Sequence, residues 1–108
     1  MSKVKTFKEL MVDLRRGYDP ARGWAEVHLK GVYRIPLKHI RSTANPQFYG
    51  NVKKYARWLK KGRAKTVPPI VVYRGESNKH FYVYDGLHRL KAHRLVKRKS
   101  IKAKVDAF

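Results

Sequence analysis

Cysteine is absent from this chain of 108 residues. Disulfide frameworks, thiol catalysis and cysteine-bound zinc are therefore excluded. Acids are scarce: 7 Asp and Glu stand against 27 Lys and Arg, a formal net charge of +20. Like charges in that number repel one another, and a polyanion is the partner that relieves the repulsion: DNA, RNA or a nucleotide. No apolar run is long enough to span a membrane, and no signal-peptide core opens the chain. A membrane-surface helix and a lipidation motif are missing as well, so no membrane partner is expected. A cytoplasmic protein is expected, nucleoid-associated or in the host cytoplasm if phage-encoded. There is no internal repeat and no low-complexity linker, and the length suits one domain with one modest core.

What is present reads as α+β. Met1 to Lys5 is a short basic lead. Thr6 and Glu9 have capping-box spacing, and Phe7, Leu10, Met11 and Leu14 follow at helical intervals, with Gly17 placed to end the helix. Residues 7–16 are expected to cover one face of a sheet. Residues 18–23 are loop, and Trp24 either anchors that loop or stacks on a base. Ala25–Leu29 and Val32–Ile35 have strand composition, as a hairpin or one bent strand. Pro36 marks a strand end or an edge.

Asn45-Pro46 opens a second helix. Phe48, Val52, Tyr55, Ala56 and Leu59 form one apolar stripe, and Gly62 ends the element. Lys53, Lys54, Arg57, Lys60 and Lys61 share the opposite face. A solvated face normally mixes signs, yet no acid stands between Arg41 and Val72. Contact with a polyanion and simple solvation are both open readings of this face. Arg63, Lys91 and Arg94 extend the candidate nucleic-acid surface.

Ile70–Tyr73 and His80–Tyr84 read as a hairpin around the polar turn 74–79. A helix from about Leu87 to Lys97 follows, with apolar residues spread around it, and then an alternating strand, 100–105. At the strand-to-helix junction stands Asp85-Gly86-Leu87-His88-Arg89. Glycine admits a ligand close to the backbone, a first helical turn offers N–H groups, and Arg89 carries a two-pronged donor for phosphate. Gly86, Leu87, His88 and Arg89 are thus the candidate phosphate or nucleotide site. Asp85 either caps the helix or holds Mg²⁺, and His88 is either a packed histidine or an acid-base group.

From Tyr33 to Val105 the chain resembles the ParB/sulfiredoxin superfamily. The matching stretches are Ile35-Pro36-Leu37-Lys38-His39-Ile40, the middle helix ending in Lys-Gly, and Pro68-Pro69-Ile70-Val71-Val72. They continue with Val83 to Ala92 and Ile101 to Val105, all in the family's order. The resemblance implies a small mixed sheet with packed helices as a ParB/sulfiredoxin-like domain at 33–108, preceded by an N-terminal helix and loop extension at 1–32. It also implies nucleotide phosphates or nucleic-acid backbone at Asp85–Arg89. Members include partition proteins that bind CTP and DNA, ATP-dependent sulfiredoxins, serine kinases and phage or plasmid nucleases, so fold alone does not choose among them.

Departures from the family patterns narrow the choice. Sulfiredoxins have cysteine where this chain has Leu87, which removes their chemistry. Partition proteins have Gly-Glu-Arg-Arg here and a helix-turn-helix domain afterwards, for which a chain ending at Phe108 leaves no room. The kinase-like members use a glutamate soon after the first strand, and Lys38–Gln47 contains no carboxylate. Two readings stand. The first is a small DNA-binding ParB-like protein, or a nuclease with Asp85 on Mg²⁺ and Asp85 and His88 catalytic. The second is an ATP- or CTP-dependent phosphotransferase with the same turn on the phosphates. No recognition-helix motif specifies a DNA sequence.

Overall fold

The computed structural model describes residues 4–17, 29, 31–42, 49–63, 67–74 and 80–106. In order they form β1 (Val4–Lys5), α1 (Phe7–Gly17), β2 (Val32–Pro36), a 3-10 turn (Leu37–His39), β3 (Ile40–Arg41), α2 (Tyr49–Lys60), β4 (Ile70–Arg74), β5 (Phe81–Asp85), α3 (Leu87–Leu95) and β6 (Ser100–Asp106). The strands make one six-stranded sheet ordered β1-β2-β6-β4-β5-β3. Pairing is mixed: β2 with β6 and β4 with β5 are antiparallel, while β1 with β2, β4 with β6 and β3 with β5 are parallel. The expected small α+β domain with a mixed sheet is what forms.

Period-two patterning decides which side chains go inside. Tyr33, Ile35, Ile40, Ile70, Val72, Phe81, Ile101, Ala103 and Val105 all face the core, joined there by Leu10 and Leu14 of α1 and Leu90 of α3. Each such aliphatic side chain contributes about 2 kcal/mol by leaving water. A second, smaller cluster joins Val52, Ala56 and Leu59 of α2 to Val67 and to Ala92 of α3. Helix α2 therefore rides on α3 rather than on the sheet.

Local signals are realised at the helix ends. The Thr6 hydroxyl accepts from the Glu9 N–H at 3.1 Å, and the Thr6 N–H donates to the Glu9 carboxylate at 3.3 Å, closing the capping box. Gly62, at φ +74°, ends α2, with Gly62 N–H on the Leu59 carbonyl and Arg63 N–H on the Trp58 carbonyl. Arg98 adds a guanidinium bond to the same Leu59 carbonyl at 2.9 Å. Helix α3 ends by the same backbone pattern, but with Lys97 at φ 59° in the place glycine usually takes.

One expectation is corrected. Val4–Lys5 is a strand paired to Val32–Tyr33 rather than a loose lead. Together with α1 it shares the sheet and core of the residues beyond 33, so the first 17 residues are packed with the domain as far as they are described. Helix α3 is more enclosed than α1 or α2, as its widely spread apolar residues imply: Leu90, Ala92 and His93 are buried, and only Arg94 and Leu95 at its end are exposed. Pro36 ends β2, as one of its two expected roles has it, and is paired there to Ser100 of β6, beyond the reach of β1 at Val32–Tyr33. The expected loop 18–23, Trp24, residues 25–28, the Asn45-Pro46 start, Phe48 and the turn residues 75–79 lie outside the described residues.

Candidate functional site

Strand β5 runs into α3 through Gly86, which is the N-cap residue at φ 113° with no side-chain cap. The first helical bond runs from the Leu90 N–H to the Gly86 carbonyl. The N–H groups of Leu87, His88 and Arg89 therefore lie ahead of the helical ladder, at the positive end of the dipole. Asp85 does not cap them. Its carboxylate instead accepts from Arg89 Nη2 at 3.1 Å.

That pairing changes the part Arg89 plays. Its side chain is only 14% exposed, and Nη1 donates to the Pro69 carbonyl at 2.7 Å. One end of the fork ties α3 to the entry of β4, and the other is held by Asp85. The sequence-based expectation of an open two-pronged phosphate donor is not what this arrangement presents. Gly86 is likewise needed by packing: a Cβ there would lie 2.5 Å from Ile70 Cγ2 and 3.2 Å from Arg89 Nη2. Glycine at this junction lets Ile70 close over the turn, in addition to permitting the positive φ.

His88 is half-buried, and its Nε2 is buried without a hydrogen-bond partner. It does not present that nitrogen to solvent, where a leaving group would arrive. His93, one turn later, is buried and donates from Nδ1 to the Arg89 carbonyl at 2.6 Å. Burial holds His93 below its ordinary pKa, against the opposing pull of that bond. It is a structural histidine.

A dedicated Mg²⁺ site at Asp85 does not fit the residues present. The carboxylate is 66% exposed but already shares a guanidinium, a positive charge where a cation would sit. Among the described residues no three His, Asp or Glu side chains cluster as metal ligands. Mg²⁺ could reach this turn only as part of a phosphate complex.

The outer face of α2 is built differently. Lys53, Lys54, Arg57, Lys60, Lys61 and Arg63 are all exposed, while Val52, Ala56 and Leu59 are buried on the other side. Lys54 lies 5.0 Å from the Trp58 ring centre, which keeps its stem on the helix surface and its charge outward. No described carboxylate pairs with Lys53, Arg57, Lys60 or Lys61. On α3, Lys91 is half-buried, and Arg94 is exposed but bonded from Nη2 to the Ile40 carbonyl at 3.0 Å. Arg94 thus ties α3 to β3 as well as carrying charge. A separate groove of about 500 Å³ is lined by Pro36, Leu37, Lys38, Arg98 and Lys99 and includes none of the turn residues.

Sequence reasoning missed Arg98 as the side chain that closes the end of α2, and Pro69 as the acceptor for Arg89. The first had no local signal, because the two elements lie 39 residues apart. The second spans 20 residues and is likewise outside any local pattern.

No protein-family model matches the chain, and no curated protein is significantly similar to it in sequence. Solved structures do match in shape. ParB from Caulobacter crescentus, in complex with CTP-γ-S, superposes with a TM-score of 0.60 at 12% identity, over 72% of this chain and 45% of that one. The same partition protein complexed to its centromeric parS site gives 0.58 at 13%, over 68% and 40%. Sulfiredoxin from Arabidopsis thaliana gives 0.55 at 24%, over 71% and 85%. The chain therefore has the ParB/sulfiredoxin fold, and it spans less than half the length of the partition-protein chains it matches. No described helix is long and apolar enough to cross a membrane.

Proposed function

We propose that this protein binds duplex DNA through the phosphate backbone, with the outer face of α2 as the contact surface. The observation that carries the reading is the row Lys53, Lys54, Arg57, Lys60, Lys61 and Arg63: exposed, continuous and without an acid among them. Such a row is costly to keep in isolation and is relieved by a polyanion. Lys91 and Arg94 extend the charge onto α3. A DNA partner is in keeping with a cytoplasmic protein, nucleoid-associated or in the host cytoplasm if phage-encoded. The fold supports the reading, since a partition protein of the same fold is known in complex with its centromeric site. Backbone contact without base reading predicts weak sequence preference.

The test is affinity for a short duplex as a function of salt. Eight neutralised phosphates give a log–log slope of about −7. A flat response would remove the reading. Cleavage is a further step that the geometry favours less, because Asp85 is held by Arg89 and the His88 Nε2 is enclosed. Nicking of plasmid DNA that disappears in both Asp85→Asn and His88→Ala would restore a nuclease.

A second reading rests on one observation: the uncapped N–H groups at Leu87–Arg89. They suit a nucleotide phosphate, and a partition protein of this fold carries a CTP analogue. A nucleotide at the turn, ATP or CTP with its Mg²⁺, would have to draw Arg89 away from Asp85. Stabilisation of the fold by CTP or ATP, lost on Arg89→Lys but kept in the α2 variants, is the result that would favour it.

A further inference from the structure

Strand β1 is too short to cover β2. It pairs only with Val32 and Tyr33 and then gives way to α1, so Arg34 to Pro36 have no described strand on that side. A groove of about 400 Å³ lies there, lined by residues 4–7 on one side and by Arg34, Pro36 and Ser100 on the other. The groove of about 500 Å³ continues from Pro36 past Leu37 and Lys38 to Arg98 and Lys99. Strand pairing holds the two together. Pro36 stands opposite Ser100, and the Leu37 N–H donates to the Lys99 carbonyl at 2.9 Å. By the alternation of an antiparallel pair, that bond turns the Arg34 carbonyl away from β6, toward the side of the first groove.

Cations and apolar side chains share this groove. Arg34, Lys38, Arg98 and Lys99 are exposed, while Phe7, Pro36 and Leu37 are half-buried. Arg34 donates to Ser100 Oγ at 3.4 Å, and Arg98 Nη2 to the Leu59 carbonyl at 2.9 Å. These neutral acceptors position the two side chains and leave their charges unanswered. Among the described residues neither lining contains an acid, and of its cations only Lys5 has a carboxylate partner, Asp13 at 3.4 Å. Lys102, opposite Arg34 across the β2–β6 pair, is held below its ordinary pKa by burial and by that arginine. Positive charge is crowded here rather than balanced.

We propose that this groove holds an extended acidic peptide of a partner protein, with carboxylates on Arg34, Lys38 and Lys99 and interspersed apolar side chains on Pro36 and Leu37. Charge complementarity asks for an anion, and the apolar lining asks for side chains between its charges. A peptide also brings N–H donors to the outward Arg34 carbonyl, which a phosphodiester backbone does not. Single-stranded nucleic acid fits less well. The one aromatic ring in the described lining, Phe7, is half-buried and already stacks on His39, with ring centres 4.9 Å apart at 10°. It is not the open ring on which a base stacks. The groove shares no residue with the α2 row or with the turn at Asp85–Arg89.

The test uses a labelled peptide of alternating Glu and Leu, about eight residues long, as an ordinary strand is. Controls alternate Gln with Leu and Glu with Ser, and oligothymidylate supplies the phosphodiester alternative. The Glu–Leu peptide should bind and shift amide signals at Arg34–Lys38 and Arg98–Lys102. The Glu–Ser peptide should bind at least about tenfold more weakly, and the Gln–Leu peptide about fivefold. Arg34→Gln with Lys99→Gln should weaken the Glu–Leu peptide about fivefold at an unchanged melting temperature. Lys53→Gln with Arg57→Gln should leave that affinity within about twofold, since a long-range field alone is screened by salt. Absence of binding, equal affinity for the Glu–Ser peptide, or a greater loss in the α2 variant than in the groove variant would each overturn the proposal. Tighter binding of oligothymidylate, shifting the same amides, would make nucleic acid the occupant and overturn it as well.

Discussion

Arg89, at the mouth of α3, and Arg57, midway along α2, are the same side chain in opposite circumstances. Arg89 is enclosed between the Pro69 carbonyl and Asp85, so its charge is already answered. Arg57 lies on an exposed face where no acid occurs in α2 at all. The sequence motif around Arg89 is the more eye-catching of the two, yet the freer positive charge belongs to the plainer stretch. What separates them is packing. The turn must let Ile70 and the start of β4 close against α3, and arginine and glycine there serve that closure first.

The largest effect expected from breaking the comparison is at Gly86. Gly86→Ala forces a Cβ into Ile70 and a left-handed backbone on alanine, for a loss of roughly 3 kcal/mol, to be read from urea unfolding. Arg89→Met comes next. It leaves the Pro69 carbonyl without its charged donor and should cost about 2 kcal/mol. A variant as stable as the parent but unable to bind nucleotide would instead make Arg89 a ligand group. Asp85→Asn removes only a largely exposed partner, and about 0.5 kcal/mol is expected by the same measurement.

Lys53→Gln, Arg57→Gln and Lys60→Gln together should leave stability within about 0.5 kcal/mol. They should reduce the duplex salt slope by about 3. The gentlest probe is pH. His93 is held below its ordinary value of 6.5 by burial, so the unfolded chain binds the extra proton first. Stability should therefore fall as pH drops below that value, and the dependence should flatten in His93→Gln. Unfolding midpoints on either side of the histidine range check this.

Much of the fold was legible because its signals are local. The Thr6–Glu9 box, the α2 stripe from Val52 to Leu59, Gly62 and the alternation in β6 each act within a few residues, and each formed as read. The pairing of Val4–Lys5 was not legible: two residues carry no periodicity, and their partner is β2, far along the chain. The charged face of α2 could be read from spacing alone. The state of Arg89 could not, because Pro69 meets it only after β4 and α3 pack.

The account depends most on the outer face of α2 meeting the DNA backbone. Amide chemical-shift mapping with a short duplex tests it directly. The account predicts the largest shifts along Lys53–Arg63, with Gly86–Arg89 little moved. Shifts concentrated at Gly86–Arg89, with α2 undisturbed, would contradict it.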